Sequence, residues 1–382
     1  MRTFVKFLLV LPAVFAAPTV DPMTIPGSYI FKVRKGSALG PLVEAVFGIL
    51  NILPTHVYSF GDFQGFSLDG VPSTIGFLAS LAGIESIEPN TKVYASKLVT
   101  QKSAPWGLGR ISHWANGFTD YVYDDTAGVD TYAYVIDTGI RTTHQDFEGR
   151  AIWGSNHVDQ DNTDGTGHGT HVAGTIGSKT YGVAKSTTLI AVKVLDSTGA
   201  GSTANVLKGV EWVVNDATSK NRTGKAVVNL SLGGTPSTAL NKAITAAVEQ
   251  NLFVAVAAGN SATNAKYVSP ASVPAACTVG ATDRNDKLAS FSNYGASVDV
   301  QAPGVGILGP GIVNDTATDT LSGTSMAAPH VAGLAAYLLA LPGNTVPPWA
   351  LCDYIKQVGT KGVVKLAPYL TTTDLAYNGN GA

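Results

Sequence analysis

Three short segments carry residue types suited to nucleophilic catalysis. The run GTSMAAPH at residues 323–330 sets Ser325 behind small residues and ahead of apolar positions at helical spacing, Val331, Leu334 and Leu338. That spacing predicts a helix over about residues 326–339, with the serine at its mouth. The first N–H groups of a helix lack intrahelical partners and point toward negative charge, so a serine there has an oxyanion donor beside it. Its hydroxyl needs a base, and the base needs an orienting group. GTGHGTHVAG at residues 165–174 offers His168 between glycines, and YAYVIDTG at 132–139 is a β-rich apolar run that ends in Asp137. The carboxyl ends of strands are where open α/β sheets bind ligands. Asn260 follows another apolar run, residues 253–259, and its amide can donate to an oxyanion beside the Ser325 N–H.

These residues need a scaffold that brings distant segments together. Strand patterns over residues 131–136, 189–195, 226–232 and 253–257 alternate with helical ones. The best helix spans 237–250, with Leu240, Ala243, Ile244, Ala247 and Val248 on one face and Ser237 as its N-cap. Such alternation predicts an α/β fold, a three-layer arrangement with a mostly parallel sheet and helices on both faces. Residues 19–96 read differently. A strand at 29–33, a helix at 41–50, strands within 57–68, a helix at 74–81 and a strand at 84–89 give the β-α-β-β-α-β order of a small ferredoxin-like α+β domain.

With 382 residues, 45% of them hydrophobic, the chain can bury one large core or two unequal ones. A net charge of −2 gives it nothing with which to attract nucleic acid or an acidic membrane. Arg2 and Lys6 precede an apolar run at residues 7–15 and the small residues Ala16 and Ala17. This predicts a secretory signal peptide over residues 1–16, cleaved after Ala16, and an extracellular protein. The run is too short to span a bilayer, and no other is long enough, so no membrane partner is expected. Two cysteines in an exported chain imply one disulfide. Glycosylation sequons begin at Asn221, Asn229 and Asn314; Asn229 lies inside a strand pattern, which leaves Asn221 and Asn314 as candidates. His168 and His171 do not form an H-E-x-x-H zinc motif, and the glycines around them lack the G-x-G-x-x-G dinucleotide spacing.

The chain resembles a subtilisin-like serine protease of the proteinase K branch, similar to the fungal alkaline proteases (oryzin), from about Ala104 onward. Seven blocks in order carry the likeness: APWGL at 104–108, VIDTGI at 135–140, the His168 segment, SLGG at 231–234, AAGN at 257–260, SFSNYG at 290–295 and the Ser325 segment. The order Asp, His, Ser is the subtilisin order, and Ala327 rules out the G-x-S-x-G elbow. The resemblance implies a secreted endopeptidase acting through an acyl-enzyme, with Asp137, His168, Ser325 and Asn260 as its catalytic set. It implies that polypeptide substrates pair by strand addition with Gly199, Ala200, Gly201 and with Ser231, Leu232, Gly233. Ala257, Ala258 and Gly259 would line a loose first pocket that prefers an apolar or aromatic P1 residue. Thr203 stands where relatives often carry an aromatic residue.

The resemblance further implies an inhibitor-like propeptide over residues 17–97, acting as chaperone and inhibitor of a peptidase domain at 98–382, with self-cleavage near 96–99. It pairs Cys277 with Cys352 and puts Val172 where relatives have a free cysteine. A structural calcium ion would be held by the carbonyls of Pro274 and Ala276 and the carboxylate of Asp299; a second family site has lost its aspartate, with Val363 at the match. No cofactor is implied for catalysis, and a monomer is expected. Three rivals remain: a silent subtilase-fold scaffold, a stable inhibitor complex that keeps the propeptide bound without activity, and an esterase. An intact Asp137, His168, Ser325 and Asn260 set speaks against a silent scaffold, and the two pairing segments favour polypeptides over simple esters.

Overall fold

The structure, a computed structural model, describes residues 24–71, 75–91 and 97–381; the signal segment expected at 1–16 lies outside them. The chain divides into two compact units, residues 1–95 and 96–382.

The first unit runs β1 (Thr24–Val33), α1 (Leu39–Leu50), β2 (His56–Phe60), β3 (Phe63–Leu68), a 3-10 helix (Ile75–Ser80) and β4 (Ile84–Thr91). Its sheet has the order β2-β3-β1-β4, and every neighbouring pair is antiparallel. Alternate residues Phe31 and Val33 of β1 and Phe66 and Leu68 of β3 bury against Leu42 and Val46 of α1. Helix α1 begins two residues before its expected start, with Pro41 in the first turn, where a missing N–H breaks no helical bond. The expected helix at 74–81 is a 3-10 helix of six residues, too short for a stable α-helix and carrying Gly76.

The second unit opens with β5 (Leu98–Gln101), α2 (Trp106–Ile111) and β6 (Tyr121–Asp124), in which β5 and β6 pair antiparallel. Alternating strands and helices follow: β7 (Tyr132–Asp137), β8 (Ala151–Asn156), α3 (His168–Gly177), β9 (Thr188–Lys193), α4 (Thr203–Ser219), β10 (Ala226–Leu230), α5 (Thr238–Glu249) and β11 (Phe253–Ala257). The chain ends through β12 (Cys277–Thr282), β13 (Val300–Pro303), the antiparallel pair β14 (Ile307–Pro310) and β15 (Thr318–Leu321), α6 (Thr324–Ala340) and α7 (Leu351–Val358).

Seven strands form one sheet in the order β13-β12-β11-β10-β7-β9-β8, and all six neighbouring pairs are parallel. Its two-residue period sorts side chains to opposite faces. Ala133 and Val135 of β7 point to one face, with Val172 and Ile176 of α3 and Val331 and Leu334 of α6. Tyr134 and Ile136 point to the other, with Val206 and Val210 of α4 and Leu240 and Ile244 of α5. The result is the three-layer α/β arrangement expected from the alternation. The chain lays β8 and β9 on one side of β7, then crosses to build β10 through β13 on the other. Ligands bind at such a reversal of strand order, outside the carboxyl ends of the strands.

Candidate active site

Asp137 is the last residue of β7, and its side chain is fully buried. One carboxylate oxygen, Oδ1, accepts the Thr138 N–H at 2.7 Å and the His168 Nδ1–H at 2.7 Å. Because a carboxylate only accepts, the ring proton belongs on Nδ1, and Nε2 keeps its lone pair. His168 opens α3 and leaves 29% of its side chain accessible, enough for a substrate to reach Nε2. Burial alone would lower the imidazole pKa. The charge and hydrogen bond of Asp137 outweigh it, with Asp164 adding to them, and the pKa is raised. The seat of the ring is tight: a Cβ on Gly169 would come within 2.1 Å of the Gly139 carbonyl oxygen.

Asp164 was not singled out in the sequence, yet it organises this corner. Its buried carboxylate accepts from the N–H and hydroxyl of Thr166, the N–H of Gly167, the N–H and hydroxyl of Thr170, and the hydroxyl of Thr138. The Thr138 hydroxyl in turn accepts the Gly169 N–H at 2.9 Å. The carboxylate takes the Thr170 N–H directly and holds the Thr166 and Thr138 hydroxyls that accept the His168 and Gly169 N–H groups, so it supports the start of α3 and ties that turn to the end of β7. Its position four residues before His168 was the available signal.

Helix α6 begins at Thr324, two residues earlier than the apolar spacing suggested, so Ser325 lies inside the first turn. Gly323 supplies no side-chain cap; the cap comes from Asn260, 64 residues away, whose Oδ1 accepts both the N–H and the hydroxyl of Thr324 at 2.8 Å. With Oδ1 occupied by two donors, the amide orientation is fixed and Nδ2 is the free donor, 3.4 Å from a Cβ built on Gly323. The Thr324 hydroxyl also accepts the Gly259 N–H at 3.0 Å.

Pro329 sits inside α6, so the Ser325 carbonyl has no i+4 N–H to accept. The Ser231 hydroxyl takes that place at 2.8 Å, and the Ser325 hydroxyl donates back to the Ser231 carbonyl at 3.2 Å. Asn229, fully buried in β10, donates to the same Ser231 hydroxyl at 2.9 Å. These contacts explain why β10 stops at Leu230 rather than at 232: Ser231 turns its polar groups to α6.

His168, Ser325 and Asn260 share a cleft of about 780 Å³, with Gly199, Ala200 and Gly201 on one wall and Ser231, Leu232 and Gly233 on the other. The first wall is a closed turn. Asp196 accepts from the Thr198 hydroxyl and the N–H groups of Thr198 and Ala200, and a Cβ on Gly201 would meet the Val194 carbonyl oxygen at 2.4 Å. Ala257 and Gly259 line the cleft, together with Asn293; Ala258 does not line it. The Ala258 side chain packs with Ala265, Ala271 and Val298, while its carbonyl accepts the Asn293 amide at 2.8 Å. Gly259 has φ +104°, and a Cβ there would lie 2.3 Å from Asn293 Nδ2, so this position has room only for glycine. Thr203, Val206 and Leu240 also line the cleft.

Outside the cleft, Cys277 at the start of β12 is bonded to Cys352 in α7. Val172 is buried in the core. His171 donates from Nε2 to the Ile307 carbonyl at 2.9 Å and shares no ligand position with His168. Asn221 is exposed in the turn after α4, and Asn314 is exposed with its Oδ1 accepting from the N–H and hydroxyl of its own sequon residue Thr316. Asp299 accepts the Thr278 N–H at Oδ2, 2.9 Å away, and faces the Lys356 ammonium from Oδ1 at 3.5 Å. A calcium ion held there by Asp299 with the Pro274 and Ala276 carbonyls would have to displace that ammonium, so the donor set does not fit the ion as it stands.

A parallel α/β sheet with an aspartate–histidine pair at its switch strand and a serine in the first turn of a facing helix defines a subtilisin-type hydrolase. The comparisons with known proteins agree. Residues 130–357 match the Subtilase family. A subtilisin-like protease of Coccidioides posadasii is 52% identical over 334 residues, spanning 87% of this chain and 83% of that one. The cuticle-degrading protease of Metarhizium anisopliae is 44% identical across 97% of this chain and 98% of its own. The crystal structure of a cold adapted subtilisin-like serine proteinase is similar at a TM-score of 0.67 and 42% identity, covering 72% of this chain and 99% of that chain. This chain belongs to the subtilase family and is a serine endopeptidase acting on polypeptides.

Proposed function

We propose that the chain is a secreted, self-processing endopeptidase of broad specificity, with Ser325 as nucleophile, His168 as general base and acid, Asp137 as the orienting carboxylate and Asn260 as oxyanion donor. The observation that carries this reading is the 2.7 Å Asp137–His168 contact opening onto the cleft that holds Ser325. Ser325 Oγ attacks the substrate carbonyl carbon while His168 Nε2 takes its proton. The oxyanion receives the Ser325 N–H and the Asn260 Nδ2–H, both fixed before the substrate arrives. His168 then protonates the leaving amine, and a water activated by the same ring releases the acyl group. In the resting chain the Ser325 hydroxyl points to the Ser231 carbonyl. Substrate binding therefore includes its rotation toward His168, as catalytic hydrogen bonds in empty sites are often unformed.

An extended peptide lies between residues 199–201 and 231–233 and adds as a strand. The uncharged Ala257 and Gly259, with the carbonyl-bound Asn293 amide behind them, favour an apolar or aromatic P1 side chain. Residues 1–16 act as signal peptide and 17–97 as propeptide, inhibitor and folding aid for the monomeric peptidase. A cut before Leu98 leaves β5 whole and its pairing with β6 complete, whereas a cut after Val99 removes half of that strand. The exposed Asn221 and Asn314 are the glycosylation positions.

The test is the intact mass of the secreted chain beside Ser325→Ala from the same host. Loss of everything before about residue 97 in the first, with the propeptide retained in the second, is the expected result. Equal trimming of both assigns the cut to another enzyme and contradicts self-processing.

A further inference from the structure

We propose that Lys356 is the built-in counter-ion of Asp299, standing where the family resemblance implies calcium, and that the Cys277–Cys352 bond fixes the helix that delivers it. Asp299 is clasped to the start of β12 by two bonds: its N–H donates to the Thr278 carbonyl and its Oδ2 accepts the Thr278 N–H, each at 2.9 Å. At the other oxygen, Oδ1, Lys356 Nζ stands 3.5 Å away. The same ammonium reaches Asp353 at 3.1 Å, so it is held between two carboxylates of which Asp353 is mostly in solvent.

Delivery of the ammonium follows from the sequence of α7. Cys352 and Lys356 are four residues apart on this helix and therefore share a face. Cys277 immediately precedes Thr278, the residue that clasps Asp299. The disulfide ties α7 to β12, and one turn on the ion pair ties α7 to Asp299, the residue before β13 that is clasped to β12 at Thr278. The two sulfurs and an Asp299 oxygen lie within 4.8 Å of one another, but the sulfurs are spent in the S–S bond and are not available to a metal. A calcium ion needs six to eight oxygens and net negative charge around it. Here it would find a single carboxylate with a positive charge already beside it. Removing the ammonium leaves the carboxylate without its counter-ion and open to a cation.

The experiment is thermal unfolding of the full chain carrying Ser325→Ala, in chelator and in millimolar calcium chloride, with Asp299→Asn as reference for any ion bound elsewhere. The calcium-induced shift in midpoint that depends on Asp299 is expected to be absent with Lys356 in place. Lys356→Met is expected to lower the midpoint in chelator and to gain an upward calcium shift that Asp299→Asn abolishes; Lys356→Arg should behave like the starting chain. A terbium titration of the unsubstituted lysine chain, followed by calcium competition, needs no lysine variant. A calcium-displaceable site there that Asp299→Asn removes overturns the proposal, as does a Lys356→Met chain that folds and gains no calcium shift.

Discussion

At His168 two effects compete: burial pushes the imidazole toward its neutral form, and the Asp137 carboxylate, backed by Asp164, pulls it toward the charged one and wins. In the proposed mechanism the neutral ring is the base, so a raised pKa puts the acid limb of activity at higher pH than an isolated imidazole would. Asp137→Asn removes the charge that raises it. The acid limb of kcat/KM should move to lower pH, and kcat should fall by about 10⁴, because an amide no longer selects the Nδ1–H tautomer. A pH–rate profile of the variant checks both; an unmoved limb would show that Asp137 does not set the titration. The proposed triad could be picked out because Asp137, His168 and Ser325 each stand in a short run with its own local logic. Asp164 and Thr324 could not, because what sets them apart from turn residues is their bonds to Thr138, Thr170, Asn260 and Gly259, and a lone aspartate or threonine in a glycine-rich run reads as a turn.

At the scale of the element, α6 works because its defects are repaired from outside. Its first turn is capped by Asn260, and the carbonyl freed by Pro329 is satisfied by Ser231. Ser231→Ala should cost about 1–3 kcal/mol, the usual loss when a buried acceptor is left unpaired. Pro329→Ala restores an N–H to that carbonyl, so the cost of Ser231→Ala should shrink in the Pro329→Ala background. A double-mutant cycle in denaturant, on the Ser325→Ala chain, measures this coupling; strict additivity would refute it. Apolar spacing found the body of this helix but not its start, since the cap lies in a different strand–loop segment. The helix at Thr238–Glu249 was placed within a residue because its cap, Ser237, is local: the hydroxyl accepts the Leu240 N–H.

For the whole molecule, the parallel sheet with helices on both faces follows from the alternation of strands and helices, while its strand order and the packing of α3 against α6, which buries groups that sequence could only mark as histidines, do not. His171 and His330 lie fully inside, each donating one ring N–H to a carbonyl, Ile307 and Met326 respectively. Burial lowers the His330 pKa to about 4, partly opposed by the Met326 bond and helped by His171 nearby. In the unfolded chain it titrates near the ordinary ~6.5. Stability is therefore whole above that pH and is lost as the unfolded chain takes up a proton the folded one refuses, by about 3 kcal/mol on reaching pH 4 from this residue alone. Unfolding of the Ser325→Ala chain at a series of pH values should show the loss beginning below about 6.5, and His330→Gln should flatten it. A stability that stays level from pH 7 to 4 would contradict the burial of a neutral imidazole.

Covalent labelling tests the central claim most directly. A sulfonyl fluoride forms a stable ester only with a serine that a neighbouring base has activated. Treated chain, digested and mapped by mass spectrometry, should carry the label on Ser325 in parallel with loss of peptidase activity, and His168→Ala should take up none. Inactivation with the label on any other residue, or labelling of Ser325 that survives the loss of His168, would contradict the assignment of nucleophile and base.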